Sequence, residues 1–130
     1  MWMTALSLIF SFQAATPPCL HDANEPPAEQ ARRREALIAA RAINTVEANG
    51  TQNRRYLDAA GVLRAIAADP RVARIPLSFA PGTDLLPGWT LKLRVTESGY
   101  WFMIKDKIDP CGFAYISDEA GVIYRSEPIR

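Results

Sequence analysis

The stretch WTLKLRVTESGYWFMIK, residues 89–105, decides the fold. Four apolar residues alternate with polar ones in its first part: Trp89, Leu91, Leu93 and Val95. Side chains of a strand point alternately to its two faces, so this period of two predicts a half-buried strand over 89–96. Ser98-Gly99 supplies a turn, and residues 100–105 are predicted to return as the second strand of a hairpin.

Two further strands follow, each after a short turn. Residues 109–112, DPCG, predict a turn because proline fixes φ and glycine adopts positive φ freely. Residues 113–116 and 122–125 are predicted as the third and fourth strands, with a turn over 117–121 between them. Consecutive strands joined by short turns make an antiparallel meander, and its apolar face needs a second layer to cover it.

A long helix is predicted over residues 28–48, which are rich in alanine, arginine and glutamate. Its apolar residues recur at three- and four-residue spacing: Ala36, Ala39, Ile43 and Val46, flanked by Leu37 and Ala40. Pro27 suits the first turn, and Asn49-Gly50 predicts a left-handed exit that ends the helix. The narrow stripe of small residues suits packing on a sheet. The predicted fold class is therefore α+β, with one long N-terminal helix on a four-stranded antiparallel meander.

The connection between helix and sheet is predicted to contain a short second helix. Residues 56–68 have helical spacing of apolar side chains, and Asp69-Pro70 ends the pattern. Residues 70–88 contain four prolines and are predicted as a long irregular connection, with one short extended piece at 75–79.

Length and composition limit the protein to one ordinary domain. The chain has 130 residues, of which 48% are hydrophobic, so the composition is that of a folding protein and not of a disordered one. Fifteen basic and fourteen acidic residues give a formal charge of +1. Such an even balance excludes nucleic acid as the expected partner.

The N-terminal segment predicts export. Residues 1–16 carry no charged side chain, and at 1.5 Å per residue they would rise roughly 24 Å, short of a ~30 Å hydrocarbon core. We interpret them as a signal peptide or, alternatively, as a short apolar anchor. Residues 17–28 are predicted to be a proline-rich linker, and residues 29–130 the single domain. The expected location is periplasmic or extracellular, associated with the inner membrane if the segment is retained.

The two cysteines, Cys19 and Cys111, are too far apart in sequence for a zinc motif. In an oxidising compartment they could close one disulfide and hold the entrance of the chain against the domain. The alternative is two independent thiols.

Five short stretches carry a family resemblance: RAINTVE at 41–47, YL at 56–57, GWTL at 88–91, SGY at 98–100 and FAYISDEAGVIY at 113–124. Through them, residues 36–127 resemble the globular heads of bacterial type IV pilin-like proteins and type II secretion pseudopilins. In that family a helix packs on a four-stranded antiparallel sheet. The resemblance implies a non-catalytic protein that interacts with another envelope, secretion or pilus component.

The N-terminal part departs from the pilin pattern. Pilins carry a basic leader and an assembly glutamate inside a long apolar helix, whereas Glu25 and Glu29 lie among prolines and polar residues. Neither glutamate is carried over from the family. We therefore expect a detached, exported pilin-like head and not a filament subunit.

The sequence offers little support for catalysis. The single histidine, His21, falls in the predicted linker, where we expect no other group within hydrogen-bond reach, so no catalytic residue and no cofactor is predicted. Two alternatives stay open. One is a periplasmic binding or inhibitor module unrelated to pili, and the other is a small hydrolase with Asp84 and further carboxylates in the proline-rich loop.

Three groups of residues are candidates for binding. The oxygen ligands that calcium prefers cluster in the last third of the chain, although flanking lysines oppose a cation: Asp106, Asp109, Asp118 and Glu119. Arg32, Arg33 and Arg34 predict a solvated helix face or a contact with anionic lipid headgroups or an acidic partner. Trp101 and Met103 alternate with core positions, so they are candidates for contact with a protein partner.

Overall fold

A helical layer covers one face of a four-stranded sheet. The computed structural model describes residues 15–51 and 55–127. Its elements are α1 (Pro27–Thr51), α2 (Ala59–Ala68), β1 (Trp89–Val95), β2 (Tyr100–Asp106), β3 (Ala114–Asp118) and β4 (Tyr124–Ser126). The predicted α+β class is confirmed. Within the described ranges, the helices lack the combination of length and apolar character needed to cross a membrane.

The sheet is the predicted antiparallel meander, with strand order β1-β2-β3-β4. Leu93 pairs with Phe102, which in turn pairs with Ser117, so these positions share one face of the sheet. This inner face carries the largest buried side chains: Trp89, Phe102, Ile104 and Tyr115. The third and fourth strands begin one and two residues later than predicted. All four predicted strands are present. The alternation of apolar and polar residues fixes which face of the sheet each residue occupies.

Helix α1 packs on the inner face at β3. The small-residue stripe that predicted this contact is buried: Ala36, Ala39, Ala40, Ile43 and Val46. Polar contacts fix the position of the helix as well. Asn44 Nδ2 donates to Ser117 Oγ at 2.9 Å, and Tyr100 Oη donates to Asn44 Oδ1 at 2.8 Å. Apolar burial and these hydrogen bonds together set how α1 crosses the sheet.

The C-terminal end of α1 differs from the prediction. The helix runs through Gly50 to Thr51, and Gly50 is not among the glycines with positive φ, so the predicted left-handed exit at Asn49-Gly50 is wrong. The Arg55 N–H donates to the Gly50 carbonyl at 3.4 Å, and a Cβ at Gly50 would lie 3.0 Å from the Arg55 carbonyl oxygen. Gly50 is therefore needed for the close approach of the returning chain.

Helix α2 begins three residues later than predicted, because Asp58 caps it. The Asp58 carboxylate accepts a hydrogen bond from the Gly61 N–H at 2.8 Å, as an N-cap residue does. The following connection, residues 70–88, is irregular as predicted, and residues 75–79 form no strand of the sheet. Backbone hydrogen bonds from Ser78 to Leu85 and from Leu85 to Trp89 hold it in place.

Candidate functional site

The disulfide predicted between Cys19 and Cys111 is present, with a Cα–Cα distance of 5.3 Å. It fixes residues 19–25, expected to be part of a linker, against the turn between β2 and β3. The Leu20 N–H donates to Asp109 Oδ1 at 3.2 Å beside the bridge. This part of the chain therefore belongs to the folded domain.

His21 lies in a buried cluster, and the prediction that it reaches no other group is wrong. Its side chain is 1% exposed and packs between the rings of Phe113 and Trp89, with centroid distances of 4.7 and 5.7 Å. Nδ1 lies 2.5 Å from Glu25 Oε1, and Nε2 lies 2.7 Å from Asp106 Oδ2. The disulfide brings the segment to the end of β2, where Asp106 points inward.

The two carboxylates determine what the imidazole can do. An ionised carboxylate only accepts hydrogen bonds, so satisfying both contacts requires an N–H on each ring nitrogen, which is the imidazolium form. Neither nitrogen is then free to take a proton from a serine or thiol. The geometry suits a buried ion cluster and does not suit nucleophilic catalysis.

Two arginines from the first turns of α1 complete the cluster. Arg32 donates to both carboxylate oxygens of Asp106 at 3.2 Å and to Glu29 at 2.5 Å. Arg33 donates to both oxygens of Glu25, with Nη2 at 2.8 Å. We use the name N-terminal clamp for the Cys19–Cys111 disulfide together with six side chains: His21, Glu25, Glu29, Arg32, Arg33 and Asp106. Its polar part brings three carboxylates together with two guanidinium groups and one imidazole.

Ionisation of the clamp carboxylates follows from these contacts. Burial alone would raise the pKa of Asp106, but hydrogen bonds from Arg32 and His21 and from the Ile108 N–H hold it below its ordinary value. The hydrogen bond from Arg33 lowers the pKa of Glu25, against a smaller opposing effect of burial. Both groups are therefore charged at neutral pH.

The three arginines do not form one solvated patch. Arg32 and Arg33 are partly buried and bound to the clamp carboxylates, whereas Arg34 is exposed. Two of the three side chains neutralise clamp carboxylates, so a contact of all three with anionic lipid or an acidic partner stays a prediction. Only Arg34 keeps the exposure that the prediction required of each.

Three side chains of the clamp carry donor atoms of the kind that bind metal ions. His21, Glu29 and Asp106 offer ligand atoms that lie within 4.8 Å of one another. Arg32 already bridges Glu29 and Asp106, so a guanidinium supplies the positive charge that a metal ion would bring. The residues therefore fit an ion cluster better than a metal centre.

The four calcium candidates are not brought together. Asp106 belongs to the clamp, and Asp109 accepts hydrogen bonds from the N–H groups of Leu20 and Cys111. Asp118 pairs with Trp101 at the opposite end of β2, five residues from Asp106, and Glu119 follows it in the next turn. At about 3.4 Å per strand residue, the two pairs lie roughly 17 Å apart, too far to share an ion.

The hydrolase alternative depended on Asp84, which is paired in the structure. Its Oδ1 accepts from Lys107 Nζ at 2.8 Å, and its Oδ2 accepts from the Gly88 N–H at 3.0 Å. These contacts lower the pKa of Asp84, led by the lysine hydrogen bond. The carboxylate thus holds the loop before β1 to the residue after β2.

The second face of the sheet carries the candidate interaction residues. Across the four strands, one row of paired positions runs through Lys92, Met103, Ile116 and Tyr124. Trp101 lies beside this row, half-buried, with Lys92 Nζ 5.5 Å from its ring centroid. Among the described residues, no helix packs on this side, and Tyr124 is 56% exposed. We call this side, opposite to α1, the outer face.

The outer face combines apolar and basic groups. Three of its charged side chains are basic, and one is acidic: Lys92, Arg94, Lys105 and Asp118. Trp101 and Met103, predicted from alternation as contact residues, lie in its centre. An aromatic and a methionine surrounded by cations suit a protein partner with apolar and acidic groups.

Sequence reasoning missed the clamp, although one signal was present. Asp106 continues the inward positions of β2 after Tyr100, Phe102 and Ile104, and an inward carboxylate needs a cationic partner.

Comparison of the chain with protein-family models, with curated proteins and with solved structures finds no match.

Proposed function

We propose that this protein is a non-catalytic, exported, pilin-like protein that binds another component of the cell envelope or of a secretion or pilus system through its outer face. The observation that carries the proposal is the unequal covering of the sheet. Helix α1 buries the inner face, while Trp101, Met103 and Ile116 stay partly accessible on the other.

The covalent bond supports export. Disulfides persist in oxidising compartments and are rare in the cytosol, where thiols are kept reduced. The Cys19–Cys111 bridge joins the segment after the apolar N-terminus to the sheet. In an exported protein, this bridge would hold the segment around Cys19 against the domain while the outer face remains accessible to a partner.

The N-terminal clamp supports the non-catalytic part of this proposal. His21 has both ring nitrogens occupied by carboxylates, and Cys19 is oxidised. These hydrogen bonds stabilise the fold, and they leave His21 without a ring nitrogen that could act as a base toward a nucleophile.

Site-specific photocrosslinking in intact cells of the native host tests the proposal. A benzoylphenylalanine at position 103 is expected to give an adduct of discrete mass with an envelope or secretion protein. The matched control carries the same group at position 41, which is exposed on α1 and away from the outer face. Intact-mass analysis after thiol alkylation of cell fractions reports export and the disulfide in the same samples.

Two outcomes would overturn the proposal. One is crosslinking at position 41 equal to that at position 103, which would remove the outer face as a specific surface. The other is a protein found only in the cytoplasmic fraction with two alkylated thiols.

A further inference from the structure

Strand β1 is an edge of the sheet, and no described strand pairs with its outer side. The Trp89 N–H and C=O point away from β2, because they bond Leu86 and Leu85, while the Gly88 carbonyl on one side and the Thr96 N–H on the other point toward β2 and its turn. The register from Trp89 to Val95 has no bulge, so backbone groups alternate regularly between the two sides. Leu91, Leu93 and Val95 therefore direct their N–H and C=O groups outward.

These groups are available for pairing. Across residues 15–51 and 55–127, no backbone group bonds to the outward side of Leu91, Leu93 or Val95. Unpaired backbone groups must be hydrated, since burying them without a partner is costly. Three N–H and three C=O groups thus form a row that an extended chain could pair with.

The side chains along this edge are apolar on one face and basic on the other. Leu91, Leu93 and Val95 face the helical layer and are only partly buried. Lys92 and Arg94 are exposed on the outer face. A strand paired beside β1 would extend both patterns, because residues directly opposite share a face.

Charge argues against a second copy of this chain as the added strand. Antiparallel pairing of two β1 strands centred on Leu93 places Lys92 of each copy opposite Arg94 of the other, and centring on Lys92 places two lysines opposite each other. Like charges directly opposite are destabilising. Acidic residues at the same positions would instead pair with both cations.

We propose that the β1 edge binds an extended segment of a partner protein in which apolar and acidic residues alternate, as a fifth strand of the sheet. The backbone row supplies the hydrogen bonds. Apolar partner residues continue the inner face beside Leu91, Leu93 and Val95, and acidic ones pair with Lys92 and Arg94. The proposal goes beyond the outer face, because it needs the hydrogen bonds of the edge and does not need Trp101.

Peptide binding to the full-length oxidised protein tests this inference. The probe is a nine-residue peptide of alternating valine and glutamate, and the control peptide replaces glutamate by lysine. We expect the wild type to bind the acidic peptide roughly tenfold or more tightly than the basic one, with weaker binding at higher salt. Amide chemical-shift changes should concentrate at residues 90–96.

Leu93→Pro removes one outward N–H without removing a hydrogen bond to β2. Proline is tolerated on edge strands where the N–H faces solvent, so the sheet is retained. We expect at least roughly tenfold weaker binding of the acidic peptide. The Arg94 side chain next to it is unchanged, which separates loss of the backbone row from loss of charge.

A charge reversal keeps the proposal testable if Leu93→Pro fails to fold. Lys92→Glu with Arg94→Glu changes two exposed residues and should invert the preference, so that the basic peptide binds more tightly. Arg34→Glu with Arg41→Glu is the matched control on α1 and should keep the preference of the wild type.

Three results would overturn the inference. They are equal affinity of the wild type for the two peptides, an unchanged preference after the β1 reversal, and a wild-type dimer that Leu93→Pro dissociates. If the peptides bind as expected but no crosslink forms at position 103 in cells, the result counts against the proposed function and not against this edge.

Discussion

Two carboxylates at opposite ends of the inner face are fully buried, yet their pKa values move in opposite directions. Asp106 in the N-terminal clamp is 0% exposed and accepts from His21, Arg32 and the Ile108 N–H. Glu47, near the end of α1, is also 0% exposed. Among the described residues, the Leu57 N–H donates to its Oε2 at 2.9 Å and its Oε1 has no partner.

The difference shows that partners, more than depth, decide the charge of a buried acid. Cationic donors lower the pKa of Asp106 despite its burial, whereas burial raises the pKa of Glu47, and the negative charge of Asp58 adds to the effect. Burial and the nearby Glu47 also raise the pKa of Tyr100 to about 12. One end of the core thus contains balanced charge, and the other favours a neutral acid.

Removing the better-partnered acid should have the largest effect. Asp106→Ala leaves His21 and Arg32 without their shared counter-ion in a buried site, and it should lower the free energy of unfolding by about 3–5 kcal/mol. Denaturant unfolding followed by tryptophan fluorescence measures the loss. Glu97→Ala, at an exposed carboxylate, is the control and should change stability by less than about 0.5 kcal/mol.

Acid should erase the difference between Asp106→Ala and the wild type. The folded-state pKa of Asp106 is lowered, so its stabilising contribution is present above its unfolded value of about 3.9 and disappears as pH falls through the folded value. If the difference in the free energy of unfolding between the two proteins stays constant from pH 7 to pH 2, the result would contradict the ion cluster.

The disulfide should have the next largest effect, because it positions the segment that carries His21 and Glu25. Cys19→Ser with Cys111→Ser should cost about 2–5 kcal/mol, since the unfolded chain regains the freedom of a long loop. Thermal unfolding under oxidising conditions tests this. Adding a reductant should destabilise the wild type and leave the double variant unchanged; the same response from both would be inconsistent with the bridge.

Glu47→Gln should stabilise the protein by about 1 kcal/mol at pH 8, because it removes a charge from a site with one unpaired oxygen. The folded-state pKa is raised, so the stability contributed by the neutral acid is complete below the unfolded pKa of about 4.3 and is lost as pH rises through the folded value. The variant and the wild type should therefore converge at pH 4. Destabilisation at pH 8 would show that Glu47 has a cationic partner.

The smallest expected effect separates paired from unpaired arginines. Arg33→Ser removes a two-point contact with Glu25 and should cost about 1 kcal/mol, whereas Arg34→Ser should change stability by less than about 0.5 kcal/mol. Unfolding curves of the two single variants, recorded side by side, measure the difference. Equal losses would mean that the contact with Glu25 contributes nothing measurable.

Much of the architecture was predictable from local pattern. The alternation in residues 89–95 and the alanine stripe of residues 36–46 each specify a face, and two apolar faces must cover each other. The end of α1 was not predictable, because Asn49-Gly50 is a common stop signal. Packing of the chain at Arg55 against Gly50 overrides that local preference.

Of the candidate sites, the outer face was predictable from the sequence and the N-terminal clamp was not. Alternation alone placed Trp101 and Met103 on the face opposite to the core. The clamp was not predictable, since His21 and Asp106 are 85 positions apart and no periodicity relates them. Their contact depends on the disulfide, whose formation the two cysteines allowed but did not require.

The sequence by itself determined the element types and the side of the sheet on which each residue lies, because helix and strand periods are local properties of the backbone. Tertiary structure decided which charges meet. It joined His21 to Asp106, separated Arg32 and Arg33 from Arg34, and gave one oxygen of Glu47 no partner among residues 15–51 and 55–127. The physical reason is that electrostatic energy depends on distances and burial in three dimensions, which follow only after the layers have packed.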